Sequence, residues 1–290
     1  MTDLPAPKVI LMGLPGSGKT WSLHTALRSG LEVFLIGTEP NAIDSILDAC
    51  QATGTSTEHL HWTTIRAAPA DRRTLRELVK ITNLMSYEDI TKIKGGVARQ
   101  RTGQLAKLVD VLEDFKCEHC GAAFGDPAKW PDTRMLVLDS LSGLNHLAMT
   151  NHIGLKPSAH LGEWGCAINT EAQFINDLVY GLQCYFTLIA HIDRDTNQIT
   201  GGTVISPAAL GNKYGPKMGK DFSEVILAKK QHSTFVWSTS ESDTATKNRS
   251  LPINDKLPPS FAPIIAAHNN RKKLTAPQPS VTSITPKPAA

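Results

Sequence analysis

Long apolar runs are missing from this sequence. No stretch approaches the roughly 18 apolar residues of a membrane-spanning helix, and the first residues, MTDLPAPK, lack the apolar core of a signal peptide. We therefore expect no membrane partner and a cytoplasmic location. Cysteine is also scarce: five cysteines, an odd number in 290 residues, do not indicate a disulfide framework, so we expect reduced thiols.

The chain also has little net charge. Its formal charge of +3 at pH 7 is too small to indicate a nucleic-acid-binding protein, so any basic binding surface must be local to one loop or to the tail. Four cations and no acid lie in residues 266–290, so the remaining chain has a net charge of −1. This tail contains four prolines, few large apolar groups and no periodicity, and we predict that it is disordered.

A glycine-rich segment follows the first apolar run. Residues 9–23 have the sequence VILMGLPGSGKTWSL, which contains the Walker A spacing G-x-x-x-x-G-K-[ST] of phosphate-binding loops. Glycines let backbone N–H groups surround phosphate oxygens, Lys19 supplies positive charge, and Thr20 offers a hydroxyl to Mg²⁺. The alternative is a glycine-rich turn that merely joins a strand to a helix. The predicted ATP-binding residues are Gly13, Leu14, Pro15, Gly16, Ser17, Gly18, Lys19, Thr20 and Trp21.

Strand-like runs alternate with helical patterns along the rest of the chain. This alternation predicts an α/β fold with a mostly parallel central sheet flanked by helices and a C-terminal β extension. We assign residues 1–265 to one domain, with a cysteine-containing insertion at 116–132, followed by the tail. The strand-like runs are 31–38, 59–67, 135–144, 184–195, 224–230 and 233–239.

Asp139 closes the apolar part of the run at 135–144. A carboxylate at the end of a parallel strand, downstream of a phosphate loop, is the Walker B arrangement that holds the Mg²⁺ shell. The alternative is a helix N-cap at a strand-to-helix turn. Many ATPases have a water-activating glutamate directly after this aspartate, but here the next residue is Ser140. If the protein hydrolyses a nucleotide, another acid must activate the water.

Glu39 is the best candidate for that acid. It follows the second strand in the sequence IGTEP, and a parallel sheet would bring it to the same edge as the phosphate loop. The alternative is a solvated loop acid.

These motifs, in this order, resemble the RecA-type ATPase family, which includes RadA-type recombinases and DnaB-like helicases. The resemblance covers residues 8–265 and implies a RecA-like P-loop NTPase core that binds ATP and Mg²⁺. It implies that Glu39 polarises the attacking water, and that His191, at the end of a later strand, is the sensor coupling the γ-phosphate to DNA-binding loops. The alternative for His191 is a strand-end histidine without a special role.

The resemblance extends to the sequence TKNRS at 246–250. Family members have a pair of cations there that reaches the γ-phosphate of a neighbouring subunit, and Lys247 and Arg249 match it. This match implies a homo-oligomer, either a ring or a filament. The alternative is a solvated basic edge strand.

The chain is most similar to phage RecA-like ATPases of single-strand annealing and recombination. That similarity implies ATP hydrolysis on single-stranded DNA, with a single-strand-binding or replication protein as a further partner, in the host cytoplasm. DNA would contact the loop region 194–220, where lysines and the stackable ring of Tyr214 suit a single strand, and the basic loop 92–101 and the basic tail are secondary candidates. The alternative for 194–220 is a surface hairpin with ordinary solvated lysines. The alternatives are a P-loop nucleotide kinase or other phosphotransferase, and a nucleotide-gated assembly factor without a DNA substrate.

Cys117 and Cys120 have the C-x-x-C spacing of half a zinc site. A tetrahedral site needs four ligands, and no second C-x-x-C follows. The alternative is two free cysteines in a turn. The residues considered for completing a Zn²⁺ site are His119, His146, His152, His160 and Cys166.

Overall fold

A computed structural model describes residues 4–39, 41–65, 72–93, 103–196, 202–211 and 213–275. The strands within them are β1 (Lys8–Met12), β2 (Glu32–Gly37), β3 (Leu60–Thr64), β4 (Arg134–Asp139), β5 (Tyr185–Ala190), β6 (Ile192–Thr196), β7 (Thr203–Pro207), β8 (Glu224–Gln231) and β9 (Thr234–Ser238). Among these, seven form a sheet in the order β3-β2-β4-β5-β1-β8-β9, while β6 and β7 form a separate hairpin.

The sheet is mostly parallel. β1 is parallel to β5 and β8, and β4 is parallel to β2 and β5, whereas β9 runs antiparallel to β8 at the edge. The central strands β1, β2, β4 and β5 are mostly apolar because parallel strands are buried on both faces. The predicted α/β fold with a mostly parallel central sheet is therefore confirmed, and the last two predicted runs form β8 and β9.

Helices cover both faces of the sheet, since successive strand residues point to opposite sides. Ile10 packs with α5, α6 and α7 on one face, and Leu11 packs with α1, α2 and α9 on the other. No helix in the described ranges is long and apolar enough to cross a membrane. The helices are α1 (His24–Arg28), α2 (Ala42–Thr53), α3 (Arg72–Leu84), α4 (Tyr87–Thr91), α5 (Leu105–Glu113), α6 (Leu141–Ile153), α7 (Leu161–Gly181), α8 (Gly215–Met218) and α9 (Ala262–Thr275).

Two regions differ from the sequence-based expectation. The run 135–144 is a strand only as far as Asp139, and its second half begins α6 because its leucines face the core at helical spacing. The run 184–195 is divided at His191 into β5 and β6, and β6, whose side chains are mostly exposed, pairs with β7 of the region 194–220 as a separate hairpin. Residues 197–201 of this region and 94–101 of the basic loop lie outside the described residues.

The first part of the predicted disordered tail is helical. α9 continues to Thr275 because Ile264 and Ile265 are buried against the sheet and His268 Nε2 lies 3.1 Å from Asp132 Oδ2. These contacts come from distant parts of the chain, so local composition did not reveal them. The disorder prediction is corrected for residues 266–275, and residues 276–290 lie outside the described part of the chain.

Candidate nucleotide-binding site

The Walker A loop leaves β1 at the carboxyl edge of the sheet. The Gly13 N–H donates to Ala190 O of β5 at 3.1 Å, and a Cβ on Gly13 would lie 2.4 Å from Ala228 O of β8. Gly18 has a φ of +81°, and a Cβ there would lie 2.5 Å from the Phe235 ring. Glycine at these two positions therefore lets the loop pass between neighbouring strands and turn against an aromatic side chain.

Lys19 lies inside this loop and is only 7% exposed. Its Nζ donates to Gly13 O at 3.0 Å and to Leu14 O at 2.9 Å. Burial lowers the pKa of Lys19, while the nearby carboxylates of Asp139 and Glu39 raise it. Neutral carbonyls are weaker partners for an ammonium than an anion is, so a phosphate oxygen can replace them.

Thr20 connects the end of the loop to the end of β4. Its hydroxyl donates to Asp139 Oδ2 at 2.6 Å. Burial raises the pKa of Asp139 to about 6, although the hydrogen bond from Thr20 lowers it. A hydroxyl and a carboxylate are the hard oxygen ligands that suit Mg²⁺, and a cation beside Asp139 would offset the cost of burying its charge. The residues present therefore fit a magnesium ion.

Glu39 lies beside Asp139 because β2 and β4 are neighbours, with Gly37 opposite Asp139. The Glu39 carboxylate accepts a hydrogen bond from Ser140 Oγ, and its Oε1 lies 3.5 Å from His191 Nε2. The side chains of Glu39 and His191 are 36% and 30% exposed, so water can reach both. The structure thus brings Glu39, Asp139 and His191 together at one edge of the sheet.

A cavity of about 380 Å³ opens between these groups. Its walls include residues 15–21 of the loop, Glu39, Asp139, His191 and Phe235. Gly13 and Leu14, by contrast, contribute carbonyls to Lys19. Sequence reasoning missed Phe235, because a residue of β9 reaches the loop only through the pairing of β8 with β1 and β9.

Lys247 and Arg249 lie outside this cavity. Lys247 Nζ donates to Lys220 O at 2.6 Å, and the exposed Arg249 is anchored by its N–H, which donates to buried Glu224 Oε2 at 3.0 Å. The sequence suggested an edge strand as the alternative for this segment. In the structure the segment is not a strand and contacts β8 through a single β-bridge, between Lys247 and Val225. The structure therefore brings neither cation to the phosphate loop of its own chain.

The candidate DNA-contacting segment adjoins His191. The β6–β7 hairpin starts at Ile192, and the N–H of Ala208 beyond its second strand donates to His191 O at 2.9 Å. Tyr214 packs against the apolar core, and burial raises its pKa to about 12, so its ring is less available for base stacking than we expected. Three exposed lysines follow the hairpin: Lys213, Lys217 and Lys220.

The two cysteines of the C-x-x-C pair lie outside this site, at the far edge of the sheet. Cys117 and Cys120 approach His61 of β3, which sequence reasoning did not consider as a ligand. His119, which it did consider, stacks on Trp62 with ring centroids 4.6 Å apart. Only the position of β3 in the sheet brings His61 to the turn, so no local signal could have identified it.

No protein-family model matches the chain, and a search of curated proteins finds no match either.

Proposed function

We propose that this protein binds ATP with Mg²⁺ and hydrolyses it, in the manner of RecA-type ATPases. The observation that carries the proposal is the contact between Thr20 and Asp139 at the mouth of a glycine-rich loop. It joins the two expected magnesium ligands beside a cavity of about 380 Å³, in which Glu39 is also exposed. A glycine-rich turn with only a structural role would not require a buried lysine and a buried carboxylate on one cavity.

Each polar group has a separate role in the proposed reaction. Lys19 exchanges its carbonyl partners for phosphate oxygens, and Thr20 and Asp139 would hold Mg²⁺. The metal, when bound, neutralises charge on the phosphates. Glu39 orients a water molecule and accepts its proton as the water oxygen bonds to the γ-phosphorus. The bond between that phosphorus and the bridging oxygen breaks, which releases ADP and phosphate.

His191 supports the proposed coupling between hydrolysis and a partner. Its Nε2 faces Glu39, and its backbone carbonyl is bonded to the end of the β6–β7 hairpin. A change at Glu39 during hydrolysis therefore has a short path of direct contacts to the hairpin. We include single-stranded DNA as the partner, in a process of recombination or replication, on the strength of this path and the sequence resemblance.

Phosphate release from ATP tests the enzymatic part. Wild-type protein should release phosphate, Lys19→Ala should lose binding of a fluorescent ATP analogue, and Glu39→Gln should bind it normally but turn over at least about 100-fold more slowly. Glu58→Gln removes an exposed acid away from the cavity and is the matched control. Normal turnover by Glu39→Gln would contradict the assigned base. A phosphorylated small acceptor instead of free phosphate would indicate a kinase.

The charge distribution indicates where DNA would bind. Asp193 and Asp195 flank Arg194 on β6, so this strand has a net negative charge. The phosphate backbone would instead be attracted by the exposed lysines Lys213, Lys217 and Lys220.

A triple Lys→Ala variant at 213, 217 and 220 tests this surface. We expect weaker binding of fluorescent single-stranded DNA, with a shallower dependence on salt, because fewer counterions are released. The control removes the same charge elsewhere, by Lys→Ala at the exposed positions 80, 107 and 129. Equal affinities of both variants for single-stranded DNA would contradict the assignment of DNA binding to this surface. Wild-type turnover that ignores single-stranded DNA, together with no DNA binding, would favour a nucleotide-gated assembly factor.

The proposal also includes a homo-oligomer. Arg249 is exposed and lies outside the cavity of its own chain. From this position its guanidinium would stabilise phosphate charge only in the site of another chain. The ring and filament arrangements both allow such a contact.

A further inference from the structure

A turn between residues 116 and 123 is docked on the edge strand β3, far from the phosphate loop. The N–H of Glu118 donates to Trp62 O at 2.8 Å, and its carboxylate accepts from the Thr64 N–H at 2.8 Å. Lys116 and Ala123 pair as an antiparallel bridge at the base of the turn. The turn and the strand therefore form one continuous surface, on which distant residues meet.

Three potential metal ligands converge where the turn meets the strand. His61, Cys117 and Cys120 each present one ligand atom, and these atoms all lie within 4.8 Å of one another. The Nδ1 of His61 is 3.6 Å from the Sγ of Cys120. Zinc bonds of about 2.3 Å to sulfur and about 2.0 Å to nitrogen, at a tetrahedral angle, separate the two ligand atoms by about 3.6 Å. The observed spacing fits that geometry.

The second nitrogen of His61 has the partner that a zinc-binding histidine needs. Its Nε2 lies 3.2 Å from Glu32 Oε1, and Glu32 Oε2 accepts from Arg134 Nε at 2.7 Å. A proton on Nε2 leaves Nδ1 free to coordinate, and a carboxylate behind the ring fixes this tautomer. Two neighbouring rings also hold His61 in place, with centroids 4.9 Å away in Phe34 and 4.2 Å away in Phe124.

The backbone of the turn orients its two cysteines. The Gly121 N–H donates to Cys117 O at 3.0 Å, which closes the turn around both of them. Gly121 follows with a φ of +71°, which reverses the chain directly after Cys120. Both sulfurs thereby lie on the side of the turn that faces His61.

We propose that His61, Cys117 and Cys120 bind one Zn²⁺, with water as the fourth ligand, and that this ion holds the turn against β3. The site is separate from the proposed ATPase centre and does not depend on it. Three protein ligands from two segments would connect the edge of the sheet to the chain that leads into β4, the strand that ends at Asp139. A turn docked only through the hydrogen bonds of Glu118 would not require both thiols to converge on the His61 ring.

Metal content of the reduced protein, purified without chelator, is the first measurement. We expect about one zinc per chain in the wild type and in His119→Gln, and much less in Cys117→Ser, Cys120→Ser and His61→Gln. His119→Gln is the closest control, because His119 lies between the two cysteines but stacks on Trp62. Cys120 is exposed, so its replacement should leave the fold intact, which circular dichroism can check.

Cobalt substitution identifies the ligands directly. Co²⁺ added to metal-free wild type should give intense tetrahedral absorption bands with a sulfur-to-metal charge-transfer band, and Cys120→Ser should weaken that band while Cys166→Ser keeps it. Absence of metal from the wild type, with no cobalt bands in reduced protein, would overturn the proposal. Equal zinc content in the folded Cys120→Ser variant would also overturn it. Because neither readout uses ATP, failure here and failure of the ATPase proposal are distinguishable.

Discussion

At the scale of single residues, Gly18 combines a left-handed backbone with a close neighbour. Its φ is +81°, and an added Cβ would lie 2.5 Å from Phe235. Gly30 has a similar φ of +87°, but a Cβ there would meet nothing within 4 Å. These two positions therefore separate the cost of the backbone conformation from the cost of the contact.

We predict that Gly30→Ala lowers the free energy of unfolding by about 1 kcal/mol, the cost of a positive φ alone. Gly18→Ala should cost about 1–3 kcal/mol more, because the ring or the loop must move. In a Phe235→Ala background, most of that excess should disappear. Urea denaturation of the four variants checks this, and equal losses at Gly18 and Gly30 would contradict it.

Glu171 is a buried acid that the proposed reaction does not use. It lies in α7, is fully buried, and accepts from the Leu210 N–H at 2.8 Å. Burial raises its pKa from 4.5 to about 8, although the Leu210 hydrogen bond lowers it. Between these two values the unfolded chain releases the proton and the folded chain retains it. The free energy of unfolding should therefore fall as the pH rises from about 4.5 to about 8.

The variant Glu171→Gln tests this linkage, because an amide can still accept from Leu210 but does not ionise. The stability of the variant relative to wild type should increase with pH, by up to about 1.4 kcal/mol per unit between pH 5 and 8. The measurement is urea denaturation at several pH values, with the exposed Asp177→Asn of the same helix as control. A difference that stays constant with pH would refute the assignment.

At the scale of elements, α9 shows how a helix forms where local sequence does not indicate one. Ile264 and Phe261 are fully buried, Phe261 packs edge-on to Trp237 of β9 at 5.1 Å, and Lys272 Nζ lies 2.5 Å from Asp132 Oδ2. Packing against the sheet, rather than helix propensity, stabilises this element.

We therefore predict that Ile264→Ala lowers the free energy of unfolding by about 2–5 kcal/mol, as a large-to-small change in a packed core does. Leu274→Ala makes a similar truncation in the same helix at a side chain that is 85% exposed, and should cost no more than about 0.5 kcal/mol. Thermal or urea denaturation compares them. Equal effects would mean that α9 is not docked as described.

The elements also show which parts of the fold and site could be predicted from the sequence. The glycine-rich loop is contiguous, so its spacing alone was sufficient to predict its place after β1, and Asp139 and Glu39 were expected beside it because parallel strands end at one edge. Chain order alone gives no sheet order, so Phe235 and His61 were missed. The run 184–195 was predicted as one strand, and its division at His191 into β5 and the exposed β6 was missed, because β6 pairs with β7 and not with the central sheet.

At the scale of the whole molecule, the proposed oligomer divides each active site between two chains. Lys19, Glu39 and Asp139 lie on one cavity of a chain, while Arg249 is anchored elsewhere through Glu224. The defects of Lys19→Ala and Arg249→Ala would then affect opposite halves of a shared site. This difference makes a mixing experiment possible.

We predict that Lys19→Ala and Arg249→Ala proteins each hydrolyse little ATP alone, but recover activity when they are mixed. In an equal random mixture, about a quarter of the interfaces would combine an intact loop with an intact arginine. A mixture of Lys19→Ala with Glu39→Gln should stay inactive, because both changes damage the same half. Phosphate release from chains shown to exchange subunits is the measurement. Full activity of Arg249→Ala alone, or no recovery in the first mixture, would place the complete site within one chain.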